Sequence, residues 1–144
     1  MKGWLLDTCV VSELRRPRPD RNVMGFIRGL PLDRLFVSEV TLAELRFGIH
    51  RVTDPRVRSD LDAWLTHQVR PLFERRVLAV SEDVLFRWRL LVEQGRKAGH
   101  TFPQPDLFIA ATAFQHGLTV VTRDAAGFAS TGVPRLDPWQ NSGP

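Results

Sequence analysis

Thr119-Val120-Val121-Thr122-Arg123-Asp124 is the stretch on which the fold turns: a short apolar run, too brief for a helix, that ends in an acid. Gly3-Trp4-Leu5-Leu6-Asp7 repeats the arrangement at the other end of the chain. Both read as buried strands with a carboxylate at the carboxyl end. Two further acids stand in apolar surroundings, Glu44 within Val40-Thr41-Leu42-Ala43-Glu44-Leu45 and Asp106 at the head of Pro105-Asp106-Leu107-Phe108-Ile109-Ala110-Ala111. Gathering several carboxylates is costly unless a cation or a shared proton offsets their repulsion. A metal site is therefore the first hypothesis.

Working outward, short apolar runs alternate with longer helical patterns. Residues 3–7 form a first expected strand, and residues 12–16 a short helix stopped by Pro17 and Pro19. Asp20 can cap a helix carrying Val23, Phe26, Ile27 and Leu30, after which residues 35–38 read as a second strand. A helix is expected over 40–52, with Glu44 pointing toward packed structure, and a long Arg- and Asp-rich helix over 55–73. Residues 77–80 resemble a third strand, residues 82–97 a helix opened by Ser81, Glu82 and Asp83, and residues 95–105 the longest loop. Asp106 then starts a helix closed by Gly117, followed by a strand at 119–122 and a short fifth strand at 133–136.

Strands alternating with helices argue for an α/β fold around a mainly parallel sheet of about four to five strands. In such folds ligands bind beyond the carboxyl ends of the strands, where Asp7 and Asp124 lie. Glu44 and Asp106 could join them in one pocket. No repeat or linker divides the chain, so a single domain is expected over 1–138, with a flexible tail at 139–144.

Composition sets the class. The chain has 144 residues, 43% hydrophobic and 25% charged, enough for a real core. Its formal charge of +4 comes almost entirely from arginine, since Lys2 and Lys97 are the only lysines. Arginine suits bidentate phosphate contacts. Cys9 is the single cysteine, which excludes an intramolecular disulfide and fits a reducing, cytoplasmic compartment. The start of the chain lacks a signal-peptide core, and no apolar run approaches the roughly 18 residues of a membrane span.

Leu5-Leu6-Asp7-Thr8, Ala43-Glu44-Leu45 followed by Gly48, Asp106 with Ile109-Ala110-Ala111-Thr112-Ala113, and Thr122-Arg123-Asp124 together resemble the PIN domain, and within it the VapC/FitB-like toxins. Order, spacing and length all agree, and Asp137-Pro138-Trp139 resembles the FitB-like branch. The resemblance implies a three-layer α/β/α fold and a metal-dependent ribonuclease acting as the toxin of a type II toxin–antitoxin pair. It implies Asp7, Glu44, Asp106 and Asp124 as catalytic acids binding Mg²⁺ or Mn²⁺, Glu44 either as a ligand through water or as a positioner of the attacking water, with Thr8, Thr122 and Arg123 in support. As partners it implies an RNA substrate, a cognate antitoxin, a second copy in a homodimer, and operator DNA reached only through the antitoxin. Cys9 departs from the family, in which many members place Asn after the Asp-Thr pair.

The chemistry can be built without the resemblance. A phosphodiester resists hydroxide unless a cation lowers the pKa of water and neutralises the gathering charge. Hard ions such as Mg²⁺ need only a few carboxylates because they keep several waters. The histidines at 50, 67, 100 and 116 are poorly placed for a His-based site. Against the metal reading, each acid alone could be a turn or cap residue, and Arg123 could pair with Asp7 or Asp106 or contact RNA. Trp64, Trp88 and the phenylalanines are expected in the core or at a dimer contact, the helix arginines on a solvated face, and His100 and Thr101 beside a substrate groove. Cys9 and Arg15 have the spacing of a cysteine phosphatase, but the five residues between them contain no Gly and include Glu13. Asp7-Thr8-Cys9 lacks the second acid of an aspartyl phosphatase. A noncatalytic RNA-binding module is the remaining alternative.

Overall fold

Leu5 and Leu6 are both fully buried yet belong to opposite sides of the structure, as do Val120 and Val121, because side chains alternate along a strand. A strand buried on both faces needs a helical layer on each side, and that requirement builds the three-layer α/β/α architecture. The computed structural model describes residues 3–101 and 104–140. In chain order the main elements are β1 (Trp4–Leu6), α1 (Thr8–Glu13), α2 (Arg21–Arg28), β2 (Leu35–Ser38), α3 (Glu39–His50), α4 (Pro55–Trp64) and α5 (Arg70–Leu72). They continue with β3 (Val77–Leu78), α6 (Glu82–Lys97), α7 (Gln104–His116), β4 (Thr119–Val121), α8 (Ala125–Phe128) and β5 (Arg135–Leu136).

The sheet has five parallel strands in the order β3-β2-β1-β4-β5. From β1 the chain moves first toward β2 and β3 and later returns on the other side to β4 and β5. The reversal falls between β1 and β4, and a crevice opens at their carboxyl ends. The backbone N–H of Asp7 donates to the carbonyl of Val121 at 2.9 Å, which ties those two strand ends together. One layer packs Val10, Val23, Leu42, Ile49, Leu65 and Phe73 against the sheet; the other packs Val84, Leu91, Leu107, Ile109 and Phe128. Ala110, Ala111 and Ala113 are fully buried, and their small side chains let α7 approach the sheet closely.

Several boundaries differ from the sequence expectation, each for a local reason. The first helix begins at Thr8 rather than Ser12 because Asp7 itself is the cap: its side chain accepts from Thr8 N at 2.8 Å and its carbonyl from Val10 and Val11. The 55–73 helix is continuous but widens into a π turn over Leu65–Val69. That wider turn precedes Pro71, which has no N–H to give to a regular ladder. β3 stops at Leu78, and Val80 N donates to the Glu39 carboxylate at 3.2 Å instead of extending the sheet. Gly117 closes α7 as expected, with a φ of +65°.

Packing narrows one expectation and corrects two. Phe47 and Phe86 are 57% and 64% exposed, so of the two places expected for the phenylalanines, core or dimer contact, these two do not occupy the core. Arg76 is not a purely solvated arginine: it donates to the carbonyls of Leu32 and Leu35 and lies over the Phe73 ring, bracing β2 against the end of the long helix. Trp139, expected at the head of a flexible tail, is half-buried against the core, where its carbonyl accepts from Asn22 Nδ2 at 2.9 Å. Residues 141–144 of that tail lie outside the described residues.

Candidate active site

An open cleft of about 610 Å³ lies at the strand reversal, lined by Asp7, Thr8, Cys9, Glu44, Asp106, Thr122, Arg123 and Asp124. Each of the four acids reaches it from a different element. Asp7 follows β1 directly, and its carboxylate is oriented at both oxygens: Thr8 N donates to Oδ1 and Thr122 Oγ1 to Oδ2, each at 2.8 Å. Glu44 extends from α3, whose start is capped by Ser38 at the end of β2. Asp106 sits in the first turn of α7. It is not the cap residue itself, because the helix already begins at Gln104.

Asp124 caps α8, its Oδ1 accepting from Gly127 N at 3.1 Å. Thr122 links the two strand-end acids. Fully buried, it donates to Asp7 and accepts from Asp124 N at 3.0 Å, so one hydroxyl sets the spacing between them. Cys9 accepts a hydrogen bond through its Sγ from Arg123 N at 3.5 Å. Burial raises the Cys9 thiol above its ordinary range, so it is protonated at neutral pH and poorly suited to nucleophilic attack. Arg123 pairs with neither Asp7 nor Asp106; its guanidinium lies over the Trp139 ring, 4.9 Å from the centroid.

The electrostatics of the cleft are those of crowded carboxylates. Asp106 is pushed up to about 6, first by burial and then by the charges of Asp7, Asp124 and Glu44. Asp7 is also raised, chiefly by burial and further by Asp124, although its hydrogen bonds from Thr122 and Thr8 oppose the shift. A cation in the cleft would relieve this repulsion. The donor set fits a hard divalent ion, because it consists of carboxylate oxygens with no competing imidazole. No group of three His, Cys, Asp or Glu side chains among the described residues closes into a ready ligand cage. An ion such as Mg²⁺ keeps several of its own waters and needs only a few direct carboxylates.

Crowding has a consequence for stability. The folded chain holds protons on Asp106 up to about 6, whereas the unfolded carboxyl loses its proton near 3.8. Between those values the folded state binds more protons, so this contribution is fully present below pH 3.8 and is lost as pH rises through 6. In EDTA, Asp106→Asn is expected to flatten the fall in melting temperature between pH 4.5 and pH 7. An equal fall in both proteins would remove Asp106 as the source.

Gly127 and Trp139 each touch a site residue, yet neither was among the site residues expected from the sequence. For Gly127 a signal existed, since a backbone N–H three residues after an acid is the usual reach of a helix cap. A Cβ at this position would sit 2.7 Å from the Asp124 Cγ, so alanine must rotate the carboxylate away from its cap. Gly127→Ala is expected to cost about tenfold in any activity the cleft supports, the scale of losing a contact that orients a functional carboxylate, with little change in melting temperature. Unchanged kcat/KM would show that the cap does not orient Asp124 for function.

Strand order 3-2-1-4-5 with acids at the ends of β1 and β4 and on the two helices beside them defines the class. The PIN domain family matches residues 4–133, and the chain belongs to it. Within that family it is 35% identical to the toxin FitB of Neisseria gonorrhoeae (strain ATCC 700825 / FA 1090) over 95% of this chain and 99% of that protein. It is equally 35% identical to the VapC ribonuclease Y4jK of Sinorhizobium fredii (strain NBRC 101917 / NGR234), covering 94% of this chain and 97% of that one. A solved structure of FitAB bound to the IR36 DNA fragment superposes with a TM-score of 0.89 at 33% identity, covering 96% of each chain.

Proposed function

We propose that this chain is a metal-dependent ribonuclease and the toxin of a type II toxin–antitoxin pair. One observation carries the reading: Asp7, Glu44, Asp106 and Asp124 line a single open cleft at the sheet's reversal, and their mutual repulsion raises Asp106 to about 6. Such a cluster is unfavourable in an isolated protein and useful once a divalent cation is bound. The full-length likeness to a VapC ribonuclease supports the same chemistry.

Bound Mg²⁺ or Mn²⁺ supplies a lower pKa for attacking water and neutralises charge gathering on the phosphate. Asp7, Asp106 and Asp124 would hold the ion, directly or through water, and Glu44 would reach it through water. Thr122 and Thr8 N keep the Asp7 carboxylate turned into the cleft. Glu44, half-buried on the cleft wall, would otherwise serve to position the attacking water. A fixed carboxylate array of this kind lowers the barrier by being organised before the substrate arrives.

The partners follow from the same cleft. A small antitoxin could close it by inserting a basic side chain among the acids, displacing the cation by charge-assisted hydrogen bonds. The solved FitAB complex on DNA supports an operon-repressing assembly in which operator DNA is held through the antitoxin. A homodimer and a cytoplasmic site of action complete the reading. Among the described residues no helix is long and apolar enough to cross a membrane.

The test is incubation of the purified chain, freed of antitoxin, with labelled total RNA in Mg²⁺, in Mn²⁺ and in EDTA. Discrete cleavage in either metal and none in EDTA is expected. RNA that stays intact and is bound equally well in EDTA would replace the enzyme with a noncatalytic RNA-binding module.

A further inference from the structure

Arg123 is the only basic residue among the described residues lining the acidic cleft. No carboxylate lies within ion-pair distance of it, since the ion pairs among the described residues are Arg16–Glu13 and Arg96–Glu93. Nor does Arg123 contribute to lowering the Asp7 or Asp106 carboxyls. A guanidinium beside four acids would be drawn onto one of them unless held elsewhere. Here the holder is Trp139, whose ring centroid is 4.9 Å from the guanidinium carbon.

Trp139 is itself fixed on three sides. Its N–H donates to Asp137 Oδ1 at 2.8 Å, its carbonyl accepts from Asn22 Nδ2 at 2.9 Å, and its ring packs against the core beside β1. The backbone N–H of Arg123 is anchored separately on Cys9 Sγ. A guanidinium lying over an indole ring spends no N–H donor on a carboxylate, and its donors match two oxygens of a phosphate. The exposed position of Arg123 at the cleft rim leaves room for such a ligand.

We propose that Arg123 binds a backbone phosphate of the RNA at the mouth of the cleft, and that Trp139 is the positioning residue that keeps its guanidinium off the catalytic acids and aimed outward. The inference rests on the nuclease reading and adds a substrate contact to it. A polyanion approaching four carboxylates meets repulsion, and one held cation at the entrance offsets part of it. Asp137-Pro138-Trp139 thereby acquires a role in substrate binding through a side chain 16 residues earlier in the chain.

The experiment uses the full chain and a labelled single-stranded RNA of mixed sequence. Binding is measured as a function of salt in an Asp7→Asn background, where the RNA stays intact. Arg123→Ala is expected to weaken binding roughly tenfold and to reduce the salt slope by about 0.7, the value of one phosphate contact on a single strand. Trp139→Leu should lose a large part of the same slope, and Trp139→Phe, which keeps an aromatic face, should restore it. In the otherwise native protein, Arg123→Ala should act mainly on KM and less on kcat.

An unchanged salt slope in Arg123→Ala, with cleavage by the native protein intact, would overturn the proposal and leave the nuclease reading standing. A reduced slope in a protein that never cleaves RNA would uphold the phosphate contact and sink the nuclease reading. If Trp139→Leu lowers the melting temperature but keeps the full slope, Trp139 is a structural residue only and its positioning role is refuted.

Discussion

Asp7→Asn is expected to reduce RNA cleavage by at least about 100-fold and up to about 1000-fold, on the order of 3–4 kcal/mol of transition-state stabilisation. The size follows from the number of roles meeting at one carboxylate. Asp7 caps α1, receives the Thr122 hydroxyl, and faces the cleft beside Asp106 and Asp124. Asparagine keeps the shape and can still cap the helix through its amide oxygen, but it places N–H donors where Thr122 now donates. It also removes a charge that a divalent cation would need.

The same substitution should leave the metal-free fold as stable as the native protein, or slightly more so. Burial and the neighbouring Asp124 disfavour a charge at this position, and asparagine removes it. The diagnostic result is therefore a split: kcat/KM collapses while the melting temperature in EDTA holds or rises. Activity within threefold of native would take Asp7 out of the site.

Phe128→Ala is expected to cost about 3–5 kcal/mol of folding stability, read from denaturant unfolding. Phe128 is fully buried and among the largest such side chains. It packs with Leu5, Val120, Ile109 and Val133 beneath the same short helix that Asp124 caps. Truncation opens a cavity that this four-residue helix is too short to bridge. Phe86→Ala is the internal comparison, since Phe86 is 64% exposed and should change stability by only about 0.5 kcal/mol. Similar losses for the two would mean that the α8 layer is not a packed support for the site.

Loss at Phe128 should also reach the site, because α8 holds the Asp124 carboxylate through Gly127 N. Activity measured well below the denaturation midpoint is expected to fall, with the native fold still populated. Catalytic and folding effects are coupled here by geometry: the acids stand at strand ends and helix starts, where backbone position is set by the layers beneath.

Much of this arrangement was legible in the chain. Asp7 and Asp124 were readable because an acid directly after a short apolar run marks a strand's carboxyl end. Glu44 and Asp106 were readable because each interrupts an apolar helical pattern. The start of α1 was missed, since Cys9, Val10 and Val11 continue the apolar character of β1 and Asp7-Thr8 was taken as the strand's end rather than as a helix cap. Only the three-dimensional capping bonds at Asp7 reveal that the helix begins at once. Trp139 was misread because a terminal position argues for fraying, and its anchor, Asn22, is 117 residues away.

The sequence by itself determined the alternation of strands and helices, the parallel sheet, and which acids are chemically available, because periodicity and residue type are local properties of the chain. Tertiary structure alone decided that Asp7 and Asp124 share one hydroxyl, that Arg123 turns toward Trp139 rather than toward an acid, and that Asp106 is pushed up to about 6. These depend on distances between residues far apart in sequence and on the water excluded around them. Coulomb energy and desolvation are set by that spatial arrangement, and no pattern along the chain encodes them.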